Sequence, residues 1–233
     1  MDILERLVMV MVPMLLSLTV HEYAHARSAF ALGDDTAARM GRMTLNPGAH
    51  IDVFGTIILP VLAVVSNSSF FFGWAKPVPV NPAGFSRRIS MKRGMLLTSA
   101  AGPLSNLIFV FGLAILFKIL VMSGVATIDF SSTLSGISPD GQAVPVAYRL
   151  LGMTFFINVI LAIFNMLPVP PLDGSGVLAG LLPDAAAARF RWLERNPVFV
   201  MLMLGGLIFF GGRILRIPVM IVVNGILVIT GNS

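Results

Sequence analysis

Cysteine is absent from all 233 residues of the chain. Disulfides and thiolate metal sites are therefore excluded, and any transition metal would have to be held by histidine and carboxylate. Charge is scarce as well. Asp, Glu, Lys and Arg make up 12% of the residues against 56% hydrophobic ones, with a mean hydropathy of +0.89. So little charge does not fit a soluble domain, and the composition predicts a polytopic membrane protein of one domain. The net charge of +5 is then no signal for nucleic acid; its distribution over the loops carries the meaning. Histidine is rarer still, with three in the chain, so their placement matters.

Two of the three lie in His21-Glu22-Tyr23-Ala24-His25, at the end of an apolar run that begins near Leu7. On a helix, residues four apart share a face, so His21 and His25 can grip one metal ion together. Glu22 sits one step round, poorly placed as a ligand but well placed to reach a water there. This is the H-E-x-x-H pattern of zinc hydrolases, in which the glutamate takes a proton from that water. Its setting is unusual, because the apolar run places it on a membrane helix, where ionisable groups are costly and functional by default. Ala24-His25-Ala26 has the small-x-small look of a signal cleavage site, but Asp2 and Glu5 outweigh Arg6 before it. A signal would be positive there, so a retained helix is expected.

The rest of the chain reads as a series of apolar segments. The first helix is expected over about Asp2–Leu32, stopped by Gly33-Asp34-Asp35. Arg39–Leu45, partly alternating and closed by Asn46-Pro47-Gly48, predicts a strand or hairpin. Ile51–Val65 is short for a crossing and carries Pro60, and Asn67-Ser68-Ser69 ends it. Phe70-Phe71-Phe72-Gly73-Trp74 leads into Lys76–Pro82, where three prolines impose an extended chain. Gly94–Met122 and about Pro145–Leu167 read as clear spanning helices, the second broken by Pro168-Val169-Pro170-Pro171 before Asp173-Gly174. A surface segment, Leu182–Asn196, precedes two apolar stretches, Val198–Phe210 and Ile214–Ile229, divided by Gly211-Gly212-Arg213. The fold class expected is an all-α polytopic membrane protein with five to six transmembrane helices and small re-entrant or β-hairpin elements around the site. A core over 1–183 and accessory helices over 184–233 would form one domain.

Loop charge orients these segments. Arg87, Arg88, Lys92 and Arg93, and then Arg189, Arg191 and Arg195, mark the cytoplasmic side, whereas the loop Ser123–Val144 has Asp129 and Asp140 but no Lys or Arg. With the N-terminus outside, the first helix carries His21 and His25 toward its inner end. The helix ending near Leu167 delivers Asp173 to a similar depth.

A catalytic zinc usually has three protein ligands and an open position. Two candidates for the third remain from the residues alone. His50 is the remaining histidine, though a hydrogen bond in a turn suits it better. Asp173 follows a helix break where irregular backbone can turn a carboxylate inward, yet it equally suits a cap or turn.

Taken together, three stretches resemble the signatures of the site-2 protease family of intramembrane zinc metalloproteases: His21-Glu22-x-x-His25, Ala101-Gly102-Pro103-Leu104-Ser105-Asn106, and Asn165-Met166-Leu167-Pro168-Val169-Pro170-Pro171-Leu172-Asp173-Gly174. Leu45–Asp52 and Phe72–Pro82 resemble its short prokaryotic subgroup, and the likeness extends to about Pro183. The resemblance implies one Zn2+ per chain held by His21, His25 and Asp173, with Glu22 as general base and acid. It further implies that Asn165 and Asn106 support the reacting carbonyl. Both asparagines also have ordinary readings, as a partner of the broken helix and as helix–helix glue. Many members carry PDZ or CBS domains; the loop over 123–144 is too short for the former, and neither is expected here.

The function so implied is hydrolysis of a peptide bond in or near the transmembrane helix of a membrane-protein substrate, in the cell membrane and toward the cytoplasmic side. The expected partners are that substrate helix and the lipid bilayer, with no nucleic acid. A strand edge from Arg39–Leu45 or Phe72–Val80 would offer a way to hold the substrate extended. Two alternatives from other classes are an ion-coupled carrier, since broken helices with His and Asp at depth suit ion pathways, and an inactive scaffold that binds membrane helices. The absence of an internal repeat argues against the first and the intact Glu22 against the second.

Overall fold

The computed structural model describes residues 3–66, 73–125, 130–139 and 141–231, with backbone only for 208–210. Asn67–Phe72, Asp129 and Asp140 lie outside the described residues. The long helices are α1 (Ile3–Ala31), α4 (Met91–Met122), α6 (Val146–Asn165) and α9 (Pro197–Thr230), with shorter α2 (Thr36–Arg39), α3 (Leu59–Val65), α5 (Phe130–Ser135), α7 (Asp173–Leu181) and α8 (Asp184–Glu194) between them. A π-helical turn, Val53–Ile58, runs directly into α3. Among the described residues, α1, α4, α6 and Gly211–Thr230 of α9 are long and apolar enough to cross a membrane. This is a multi-pass membrane protein. In a bilayer a helix satisfies its own backbone, which is why apolar runs of this length resolve into helices.

The ends of these helices follow local chemistry. Gly33 stops α1 at φ +109°, and the Ser86 N–H bonds back to Leu32 O at 2.8 Å. Ser90 caps α4 through the Arg93 N–H, and Asn196 caps α9 just before Pro197. α4 is the hub, packing against α1, α6, α7 and α9, while α1 also packs on α6.

Two expectations are corrected here. First, no strand occurs among the described residues; one isolated bridge joins Ile137 and Ala143. Arg39–Leu45 is not a hairpin. Ala37 and Ala38 favour a helical turn, Asp35 and Arg39 pair four residues apart across it, and the Arg42 N–H returns to Ala37 O. Arg42 is buried and spends its guanidinium on the Lys76 carbonyl, 2.6 Å away. The alternation was thus that of an inward arginine, not of a strand.

Second, Gly211-Gly212-Arg213 does not divide the C-terminal stretch, since α9 is continuous over 34 residues. A glycine costs a helix about 1 kcal/mol in water. In apolar surroundings, breaking the helix would orphan backbone groups at several kcal/mol each.

The extended chain after Gly73 is present, but it is pinned rather than paired. The N–H groups of Trp74, Lys76 and Val78 go in turn to Gly55 O, His50 O and Glu22 Oε2. Pro77 and Pro79, which alternate with them, carry no N–H, so the opposite edge is poor in donors for a substrate strand.

Candidate metal centre

α1 brings His21 and His25 onto one face, buried against α4, with their rings edge-to-face at 4.6 Å. Small residues on α4 make that approach possible. A Cβ on Gly102 would fall 2.6 Å from His21 Cε1 and closer still to His25 Nε2. The third group comes from α7. After Asn165 ends α6, the chain turns through Pro168–Leu172, and Asp173 opens the new helix. Glycines then press α7 inward: side chains at Gly176 and Gly180 would meet the Ser99 hydroxyl and the Leu96 side chain of α4. Asp173 Oδ2 ends 3.0 Å from His21 Nε2 and 3.3 Å from His25 Nε2, and the two Nε2 atoms are 3.0 Å apart.

The protons decide what this triangle is. His25 Nδ1 lies 2.7 Å from the Thr98 carbonyl, which can only accept. His21 Nδ1 lies 2.6 Å from Asn106 Oδ1. Each neutral ring therefore carries its proton on Nδ1 and turns a lone pair inward from Nε2. Asp173 Oδ2, buried and without a hydrogen-bond donor, faces both. Three electron-pair donors at mutual contact repel one another unless a cation lies between them. A tetrahedral zinc with bonds of about 2.0 Å needs ligand atoms about 3.3 Å apart, close to what is found. The residues present fit the metal, and they are the one such group among the described residues.

The remaining sequence candidates are placed differently. Glu22 is partly buried, and its Oε2 accepts the Val78 N–H at 2.8 Å. Asn165, at the end of α6, donates from Nδ2 to Leu161 O at 3.0 Å. Asn106 is fully buried behind His21, on the far side from Asp173. His50 is not part of the triangle; its Nε2 meets Thr44 O at 2.8 Å, while its backbone carbonyl holds Lys76.

The extended chain is tied at its far end by Asp34, which accepts the Asn81 N–H at 2.7 Å together with the Thr36 N–H and hydroxyl. Burial alone would raise the Asp34 pKa, but the Thr36 and Asn81 hydrogen bonds outweigh it. They hold the carboxyl below its ordinary range.

Sequence reasoning missed Thr98, Gly102 as packing for the imidazoles, Val78 as the partner of Glu22, and the pair Ser17 and Asn158 that backs Asn106. Gly102 carried a signal, a small residue four before Asn106. A backbone carbonyl such as that of Thr98 carries none.

Comparison with known proteins agrees with this geometry. The sequence profile of Peptidase family M50 matches residues 9–209. A Bacillus subtilis (strain 168) protein described as "Putative zinc metalloprotease YwhC" is 35% identical over 194 residues, covering 83% of this chain and 78% of that protein. No solved structure matches. A matched profile over most of the chain, together with a His-His-Asp cluster inside a helical membrane bundle, leads to one conclusion: the chain belongs to Peptidase family M50, as a metalloprotease of the short site-2 protease type.

Proposed function

We propose that the protein is a zinc-dependent intramembrane endopeptidase that hydrolyses a peptide bond in or near the transmembrane helix of a membrane-protein substrate. The observation that carries this is the convergence of His21 Nε2, His25 Nε2 and Asp173 Oδ2 within 3.0–3.3 Å, one residue from Glu22, in a bundle of apolar helices. His21, His25 and Asp173 would hold one zinc per chain. Bound there, zinc would polarise the scissile carbonyl and lower the pKa of a water toward about 7.

The chain's own residues do the rest. Glu22 accepts the proton of the attacking water and returns it to the leaving amine nitrogen, as a general base and then acid. Asn165, which ends α6 just before the Pro168–Leu172 turn, would give its remaining amide proton to the carbonyl oxygen as negative charge develops. That irregular turn also breaks the apolar wall and gives water a route. Residues 1–233 act as one domain, and the basic Arg87–Arg93 and Arg189–Arg195 segments orient the site toward the cytoplasm. A role in regulated intramembrane proteolysis fits this arrangement.

The test is Glu22→Gln. Activity on a membrane-anchored substrate should fall by about 10²–10⁴-fold, with zinc retained. Undiminished cleavage in that variant would show that the cleavage does not arise at this site, and would return the choice to a carrier or a scaffold.

A further inference from the structure

Behind His21 lies a chain of polar groups that the proposed chemistry does not use. Asn106 of α4 and Asn158 of α6 are both fully buried, as is Ser17 of α1. Two buried amides in the middle of an apolar bundle are costly unless every group is paired. Here each one is, and the pairing runs in one direction.

Fixed carbonyls set that direction. The Ser17 hydroxyl donates to Pro13 O at 2.6 Å, so its oxygen is left to accept. Asn158 Nδ2 donates to that oxygen at 2.7 Å and to Thr154 O at 2.7 Å. A carbonyl can only accept, so the Asn158 amide cannot be turned over without losing both bonds. Its Oδ1 is thereby aimed at Asn106, whose Nδ2 donates to it at 2.6 Å and to Ser17 O at 3.2 Å. Both Asn106 amide protons are now committed. Its Oδ1 must face His21, and it accepts the Nδ1 proton at 2.6 Å. The relay therefore ends by placing the His21 lone pair on Nε2, toward Asp173 and His25.

From this we infer that Ser17 and Asn158, which touch neither substrate nor metal, are positioning residues that lock the tautomer and ring orientation of His21 through Asn106. The inference rests on the metalloprotease reading. It assigns Asn106 to the support of a ligand instead of the reacting carbonyl, because the amide has no proton left to give one. Removing the acceptor at 158 would leave one Asn106 proton unpaired. The amide would then be held against turning only by the long bond to Ser17 O at 3.2 Å, and in its turned form it offers Nδ2 to His21 and drives the imidazole proton to Nε2, where it blocks ligation.

Asn158→Leu tests this, since leucine keeps the branched shape and removes the amide. Zinc affinity of the purified full chain is measured by chelator competition, beside the visible spectrum of its cobalt(II) form. The variant should bind zinc about 10–100-fold more weakly and show an altered cobalt spectrum. Affinity within about twofold of wild type, or weaker binding with an unchanged cobalt spectrum, overturns the inference; the latter marks general loosening of the bundle.

A second measurement needs no variant and stands even if Asn158→Leu fails to fold. Nitrogen-15 spectra of histidine-labelled, metal-free wild type should show His21 protonated at Nδ1, and an Nε2–H ring overturns the lock. Should wild type bind no zinc at all, the metalloprotease reading falls, while the tautomer measurement still decides the relay.

Discussion

α4 and α6 meet at two levels, packed by opposite rules. At one, Asn106 faces Asn158 through a directed hydrogen bond of 2.6 Å. Just beyond it along α4, Val110, Ala114 and Phe117 meet Phe155 and Val159 of α6, joined by Phe130 of α5 and Val219, Val223 and Ile226 of α9. The Phe117–Phe130 and Phe130–Phe155 rings sit edge-to-face at 5.0 and 4.8 Å. The apolar level holds the helices together without caring much which atoms touch. The polar level fixes which atoms face which. Substitutions should separate the two.

The largest effect is expected at Asp173. Asp173→Ala removes one of three donors, so metal analysis should find one zinc per wild-type chain and essentially none in the variant. Zinc that survives would break the distinction at its root, since the site would then not depend on the α7 contact. Gly102→Val comes next. Its side chain would displace both imidazoles, and zinc affinity should drop by about 10–100-fold, read by chelator competition, while the helical circular dichroism persists.

At the apolar level, Phe155→Leu should lower unfolding stability by about 1 kcal/mol and leave zinc affinity unchanged. A loss of metal there would show that the two levels are coupled. The smallest effect belongs to the clasp at Asp34. Its carboxyl titrates lower in the folded chain than in the unfolded one. The stability it contributes is complete above the ordinary value of about 3.9, and is lost as pH falls through the lower folded value. Melting curves should therefore show a steeper acid decline for wild type than for Asp34→Asn.

Much of this was legible in the sequence, and the reasons differ by level. The courses of α1, α4 and α6 follow from apolar length, and the ends of α1 and α6 from Gly33 and the proline run after Asn165; sequence reasoning missed the cap at Ser90, one turn before the expected start at Gly94. The spacing of His21 and His25 states their shared face, and the broken helix before Asp173 states where a carboxylate can turn inward. What the sequence hid depends on the environment of the backbone. Gly211-Gly212 reads as a stop because glycine is a stop in water; in an apolar bundle it is not. Arg42 reads as a strand position because its partner, the Lys76 carbonyl, leaves no mark in the sequence. Asn106 could be placed near the histidines by its motif, but the direction of its amide is set by Thr154 and Ser17 carbonyls on two other helices.

One feature of α6 reaches beyond packing. It has 20 residues, or about 30 Å at 1.5 Å per residue, which matches the hydrocarbon thickness of a bilayer with almost no slack. α4 and α9, with 32 and 34 residues, have length to spare and can tilt or protrude. The short helix is therefore the one that gauges depth. Asn158 sits in its final half and Asn165 at its end, so the histidine triangle lies within about 10 Å of one face. On the proposed function, a substrate bond would have to be drawn about 10 Å below that face, short of the midplane at about 15 Å, where water admitted at the Pro168–Leu172 turn can meet it.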